Sequence, residues 1–288
     1  MLTRPLLSVV IPTRNRARMV GEAVESALRQ RNGEVEVIVV DDESTDDTAN
    51  VLERDFASRI HLLRLPHRRG AGGARNAGVR QASGELLAFL DDDDLWLPGK
   101  LDAELRVFER FPEAEAVVSD SLTFVNGRRA EKSFFEKNGL LAATNGQVRW
   151  ANECRWLWTN SVNGVAMCSI TIRRSALDRL GLETWFAEDL VSCEDWELEM
   201  RVYHHCRVAV LPEVWACVRC IDDGARLGRA APGTPRTREQ EMGLLRDRLK
   251  VMERLHWLNG LDAELTAELE RFRASNAQQL AKLVESEP

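Results

Sequence analysis

Over the first 120 residues, apolar positions follow two alternating rhythms. Five short apolar runs have the length and β-branched content of buried strands: LLSVVIP (6–12), VEVIVVDD (35–42), IHLLRL (60–65), ELLAFLD (85–91) and AEAVVSD (114–120). Between them, apolar residues recur three and four apart. RMVGEAVESALRQ (18–30) places Val20, Val24, Ala27 and Leu28 on one helical face, and STDDTANVLERDF (44–56) opens a helix with Ser44 and Asp47 as its capping pair. GGARNAGVRQAS (72–83) gives a third helix. Pro98 suits the first turn of a fourth, running through Phe111 with Leu101, Leu105 and Phe108 facing inward. Strands alternating with helices predict right-handed crossovers and a parallel sheet.

Beyond residue 120 the alternation breaks. FVNGRR (124–129) carries an Asn-Gly hairpin signal. Residues 134–164 are irregular and hold Trp150, Trp156 and Trp158, aromatic faces suited to a sugar ring or to a core, as is Trp185. AMCSITIRRSALDRLG (166–181) predicts a strand and a short helix, EDWELEMRVYHH (194–205) a helix, and VAVLPEVWACVRC (208–220) strands. The Gly-, Pro- and Arg-rich stretch 222–237 is expected to be a flexible loop, either lid or linker. Residues 238–257 and 262–284 are amphipathic helices. The expected organisation is a domain over 1–221, with halves 1–120 and 121–221, then the loop 222–237 and a helical extension 238–288. Those last helices are the expected place for a homodimer contact.

Composition narrows the function classes. The chain has 288 residues, 44% of them apolar, which is enough for a sizeable core. Its net charge of −7 gives no general attraction to nucleic acid or anionic membrane, so a phosphate site must be local. No run approaches the roughly 18 apolar residues of a membrane span, and the N-terminus reads as a first strand, not a signal peptide. A cytoplasmic protein, peripheral to a membrane at most, is expected. The six cysteines are expected as free thiols. Cys217 and Cys220 form a C-x-x-C inside a strand pattern, where cysteine serves as a small hydrophobe more readily than as half of a zinc site.

In parallel sheets, ligands bind beyond the carboxyl ends of the strands. Strand one ends in Pro12, Thr13 and Arg14, strand two in Asp41 and Asp42, and strand four in Asp91, Asp92, Asp93 and Asp94. Four adjacent carboxylates after a buried strand call for a cation. Mg²⁺ and Mn²⁺ take oxygen ligands from one or two carboxylates plus substrate phosphates; a solvated helix-capping turn is the plainer alternative. Asp41 can accept a hydrogen bond from a nucleobase ring N–H. Arg75, presented by GGARNAG, can hold a diphosphate bidentately. GAGGAR is not a dinucleotide fingerprint, because arginine stands where the third glycine would be.

Four segments in this order resemble the family 2 inverting glycosyltransferases: SVVIPTRNR (8–16), VIVVDDESTDDT (37–48), GARNAGVRQASGELLAFLDDDDLW (73–96) and CEDWELEMRV (193–202). The resemblance implies a GT-A fold: α/β, with a Rossmann-like, mainly parallel sheet flanked by helices and a C-terminal acceptor region. It also implies site roles. Pro12, Thr13 and Arg14 line the nucleotide pocket, and Asp41 holds a uracil or thymine base. Arg75 approaches the diphosphate, Asp91 or Asp92 faces the ribose, and Asp91 and Asp93 hold Mn²⁺ or Mg²⁺. Asp195, paired with Glu194, is the general base that activates the acceptor hydroxyl, the acidic first turn of a helix being the plain alternative. The partners implied are a nucleotide-sugar donor, UDP- or dTDP-linked, and an acceptor glycan, lipid-linked sugar or small molecule. Two departures stand out: Arg68 occupies a position where asparagine is common in the family, and Ile221 one where many members carry histidine. A nucleotidyltransferase of similar architecture and a non-catalytic nucleotide-sugar-binding protein are the competing readings.

Overall fold

The computed structural model describes residues 6–30, 34–153, 165–180, 184–220, 236–255 and 263–285. The first half follows the two rhythms of the chain. β1 (Leu7–Thr13), β2 (Val35–Asp41), β3 (His61–Arg64) and β4 (Leu86–Phe89) alternate with α1 (Val20–Leu28), α2 (Thr48–Phe56) and α3 (Gly70–Gln81). β2 pairs with β1 and β3, and β1 with β4, all in parallel. Along β1 and β2 the buried side chains divide by parity. Val9, Ile11, Val37 and Val39 face α1 and α2, whereas Val10, Ile38 and Val40 face α3. Both faces are covered, which is why these strands are apolar throughout.

The second half departs from the parallel expectation. It comprises β5 (Leu95–Trp96), α4 (Lys100–Arg110), β6 (Ala116–Val125), β7 (Arg128–Arg129), α5 (Phe134–Lys137), α6 (Leu140–Thr144), β8 (Arg149–Trp150), β9 (Ile170–Arg173), α7 (Arg174–Arg179), α8 (Glu194–His205) and β10 (Val208–Cys220). The strand order is β3-β2-β1-β4-β9-β6-β10-β5, with β7 on β6 and β8 on β10. β9 runs antiparallel to both β4 and β6, so the sheet is mixed. β10 lies parallel to β6 with register shifts between Leu211 and Ala216, where Pro212 interrupts the ladder. The β6–β7 hairpin turns on Asn126 and Gly127, both at positive φ (48° and 78°), as its Asn-Gly signal predicts.

Several local expectations are corrected. Pro98 precedes the first turn of α4: the short strand β5 intervenes, and Gly99, at φ 90°, starts the helix at Lys100. α2 starts at Thr48, and neither Ser44 nor Asp47 caps it through its side chain. Ser44 instead accepts the Asn15 N–H and donates its own N–H to Asp41, which ties the ends of β1 and β2 together. The stretch 134–150 is less irregular than expected, with two short helices and a strand. Trp150 packs against Phe111 and beneath the Arg207 guanidinium, and Trp185 against the α3-side core. Trp156, Trp158 and most of the 222–237 loop lie outside the described residues.

α9 (Arg238–Leu255) and α10 (Ala263–Glu285) do not stand apart. Val251, Met252 and Leu255 of α9 form a third apolar cluster with Leu190, Trp196 and Met200, against which Phe272 of α10 packs. Much of the apolar face of α9 is therefore covered by α8 and the segment before it.

Candidate active site

The carboxyl ends of β1, β2 and β4 converge because the three strands are in register: Thr13 lies opposite Asp41, and the Leu90 N–H donates to the Val10 carbonyl. Asp91 to Asp94 therefore emerge beside Thr13. The Asp94 N–H donates to the Asp91 carbonyl and closes a turn, leaving Asp91, Asp93 and Asp94 with one oxygen each within 4.8 Å of one another. These are hard oxygen donors at a spacing a small divalent cation can bridge, so the residues fit Mg²⁺ or Mn²⁺. The Arg219 N–H of β10 donates to Asp94 at 3.0 Å, and its guanidinium to the Asp93 carbonyl.

Asp92 faces the other way. Its carboxylate accepts the Thr13 hydroxyl at 2.7 Å, with Arg16 3.6 Å away. Burial, and next the charge of Asp93, push its carboxyl up to about 7 against the lowering pull of Thr13 and Arg16. Arg16, which also stands 4.0 Å from Asp93, is a site residue that spacing alone did not single out. Its signal was the second arginine of PTRNR, one turn past the strand end.

Arg75 is buried and lies between two carboxylates from distant parts of the chain: Asp91 at 2.7 Å and Glu194 at 2.6 Å. Burial alone would lower its pKa, but Asp91, Glu194 and Asp195 outweigh that and hold it charged. Glu194 responds in the opposite sense. Burial and its neighbour Asp195 raise its carboxyl to about 7, with Arg75 opposing. Asp195 is half-buried, and its carboxylate accepts its own helix's Trp196 N–H at 2.7 Å. The pair begins α8 immediately after Cys193, which holds a left-handed φ of 66°.

A cavity of about 640 Å³ gathers these groups. Pro12, Thr13, Arg14, Arg75, Asp91, Asp92, Asp93, Glu194 and Asp195 all line it. The second strand contributes Asp42 to the lining, while Asp41 is buried and accepts the Ser44 N–H, with Arg64 at 3.9 Å. Asp42 in turn accepts the N–H groups of Arg69 and Gly70 and so holds the start of α3 against the cavity. Arg68, at the departure position, also lines it. Cys217 and Cys220 are buried strand residues that flank Val218 of the lining without joining it, and Ile221 lies outside the described residues.

The model of glycosyl transferase family 2 matches residues 8–181. The chain belongs to this family. Membership sets aside the nucleotidyltransferase reading. Among curated proteins, this family 2 chain is 37% identical over 100 residues to Escherichia coli WfgD, named as a UDP-Glc:alpha-D-GlcNAc-diphosphoundecaprenol beta-1,3-glucosyltransferase; the match covers 35% of this chain and 40% of that protein. It is 42% identical over 100 residues to the Campylobacter jejuni GalNAc(5)-diNAcBac-PP-undecaprenol beta-1,3-glucosyltransferase, covering 34% and 32%. The chain thus spans under half the length of the curated relatives it matches. Among solved structures, S. aureus TarS 1-349 in complex with UDP-GlcNAc superposes with a TM-score of 0.65 at 21% identity, covering 96% of this chain and 71% of that one. The mannosyltransferase PcManGT from Pyrobaculum calidifontis, in complex with GDP-Man and Mn2+, gives 0.61 at 19%, covering 99% and 74%. These likenesses establish the GT-A fold.

Proposed function

We propose that this chain transfers a sugar, with inversion, from a uridine- or thymidine-diphosphate donor to an acceptor hydroxyl. The observation that carries this reading is the meeting of the Asp91–Asp93–Asp94 cluster and the Glu194–Asp195 pair across one cavity, joined by Arg75. Asp93, with Asp91 and Asp94, would hold Mn²⁺ or Mg²⁺, which when bound neutralises charge on the departing diphosphate. Arg16 and the α3 N-terminus add positive potential on the same side. Asp195 is the acceptor-side base. Glu194 is committed to Arg75, while the half-buried Asp195 lines the cavity. An inverting displacement needs its base on the face opposite the leaving group, and a carboxylate on a separate helix meets that need.

The names of the relatives extend the proposal: UDP-linked glucose as donor and a polyprenyl-diphosphate-linked glycan as acceptor. A polyprenyl-linked acceptor would be met at the membrane surface; no helix among the described residues is long and apolar enough to cross a membrane. A homodimer contact would use the outer face of α10, since α9 packs against α8. The test is Asp195→Asn with radiolabelled UDP-glucose and a lipid-diphosphate acceptor. Donor binding by calorimetry should be unchanged and transfer should fall on the order of 10²–10⁴-fold; normal transfer by this variant would place the base elsewhere.

A further inference from the structure

The segment 187–193 forms one wall of the cavity through Glu188, Leu190, Val191, Ser192 and Cys193, and leads directly into Glu194 and Asp195. Leu190 is buried in the third apolar cluster and the Glu188 carboxylate accepts from Arg69 and Asn76, but these do not reach the Val191–Ser192 backbone. Val191 is 69% exposed, although its backbone is fixed. What fixes the Val191–Ser192 backbone comes from α9. The N–H groups of Val191 and Ser192 and the Ser192 hydroxyl all donate to one oxygen of Asp247, at 3.0, 2.9 and 3.1 Å. Asp247 is 5% exposed, with Lys250 3.8 Å from its other oxygen. Lys250 also donates to the Asp189 carbonyl at 3.1 Å, and Arg254 holds the Asp189 carboxylate at 2.6 and 2.8 Å. Between this anchor and the Glu194–Asp195 pair stands Cys193, in a left-handed conformation that is costly for any residue with a side chain and persists only where its surroundings dictate it.

We propose that Asp247 is a positioning residue for transfer: it collects the backbone of the 187–193 wall and sets where Asp195 stands over the donor. A buried carboxylate with three donors on one oxygen gives short-range, directional restraint that apolar packing of α9 alone does not. The proposal rests on the reading of Asp195 as the base, and it makes α9 part of the machinery instead of an appended module.

The experiment compares Asp247→Ala and Asp247→Asn in the full chain. For Asp247→Ala, kcat for transfer should fall roughly 10- to 100-fold, with KM for the nucleotide sugar within about twofold, the signature of a misplaced reacting group. Hydrogen–deuterium exchange should rise over 187–195 and stay unchanged at 91–94. Asp247→Asn keeps the shape and one accepting oxygen and should fall between Asp247→Ala and the parent; it carries the test if Asp247→Ala does not fold. An unchanged kcat, or a loss expressed equally in KM, overturns the proposal. A parent chain without transfer activity would sink the reading of Asp195, and the exchange measurement then decides alone: unaltered exchange over 187–195 refutes the anchoring as well.

Discussion

At the scale of single residues, Arg75 links the two halves of the site. One guanidinium satisfies Asp91 on the sheet rim and Glu194 at the start of α8, 119 positions later in the chain. Removing one partner from a buried ion pair costs about 3–5 kcal/mol, because the remaining charge is left uncompensated. Arg75→Met should therefore destabilise the fold by about 3 kcal/mol in urea titrations at pH 8. The loss should shrink as pH falls. Without Arg75, burial and Asp195 hold Glu194 even further above its unfolded value, so the folded state takes up a proton that the unfolded state takes up only at lower pH. A deficit independent of pH between 6 and 8 would show that Glu194 does not carry it. The aspartate run was legible at this scale, since four carboxylates after a buried strand have few uses. Arg75 was legible only as a cation near the strand ends. Its partner Glu194 lies too far along the chain for spacing to reveal, and the exchange of Asp42 for Asp41 at the cavity wall depends on a turn that Ser44 shapes by hydrogen bonds.

At the scale of elements, α3 approaches the sheet unusually closely. A Cβ built on Gly78 would lie 2.4 Å from a Val10 methyl and 3.2 Å from one on Val40. Gly78→Ala overpacks this contact and should cost about 1–3 kcal/mol, read as a lower urea midpoint with unchanged slope. Because α3 carries Arg75, donor affinity should weaken in the same variant, and Val10→Ala in the doubled variant should recover part of both losses. If Gly78→Ala melts like the parent chain, the helix has more slack than this packing allows. The parallel half of the sheet was legible because each crossover is local, and continuous apolar runs give way within a few residues to apolar positions three and four apart. β5 and the antiparallel course of β9 were not. Two residues such as Leu95 and Trp96 carry no period, and their strand identity comes from pairing with Ala216 and Cys217 far along the chain.

At the scale of the whole molecule, three bodies of structure join: the parallel half and the mixed half line the cavity, and the C-terminal helix pair packs against its 187–193 wall. A ligand that binds only the folded state stabilises all three together, by about 2.7 kcal/mol at a hundredfold excess over Kd. UDP with Mn²⁺ should raise the thermal midpoint more than either alone, chelation should return it to the UDP value, and Asp93→Ala should abolish the difference. Equal midpoints with and without the metal would remove the cation from the proposal. The docking of α9 on the wall before α8 has one more consequence, which concerns time. A ribosome makes the chain from its N-terminus, and domains begin to fold as they emerge. The aspartate rim and β10 are complete well before Asp247 leaves the exit tunnel. A nascent chain can thus form the Asp91–Asp94 rim of the cavity before Asp247 reaches the wall that leads into Asp195.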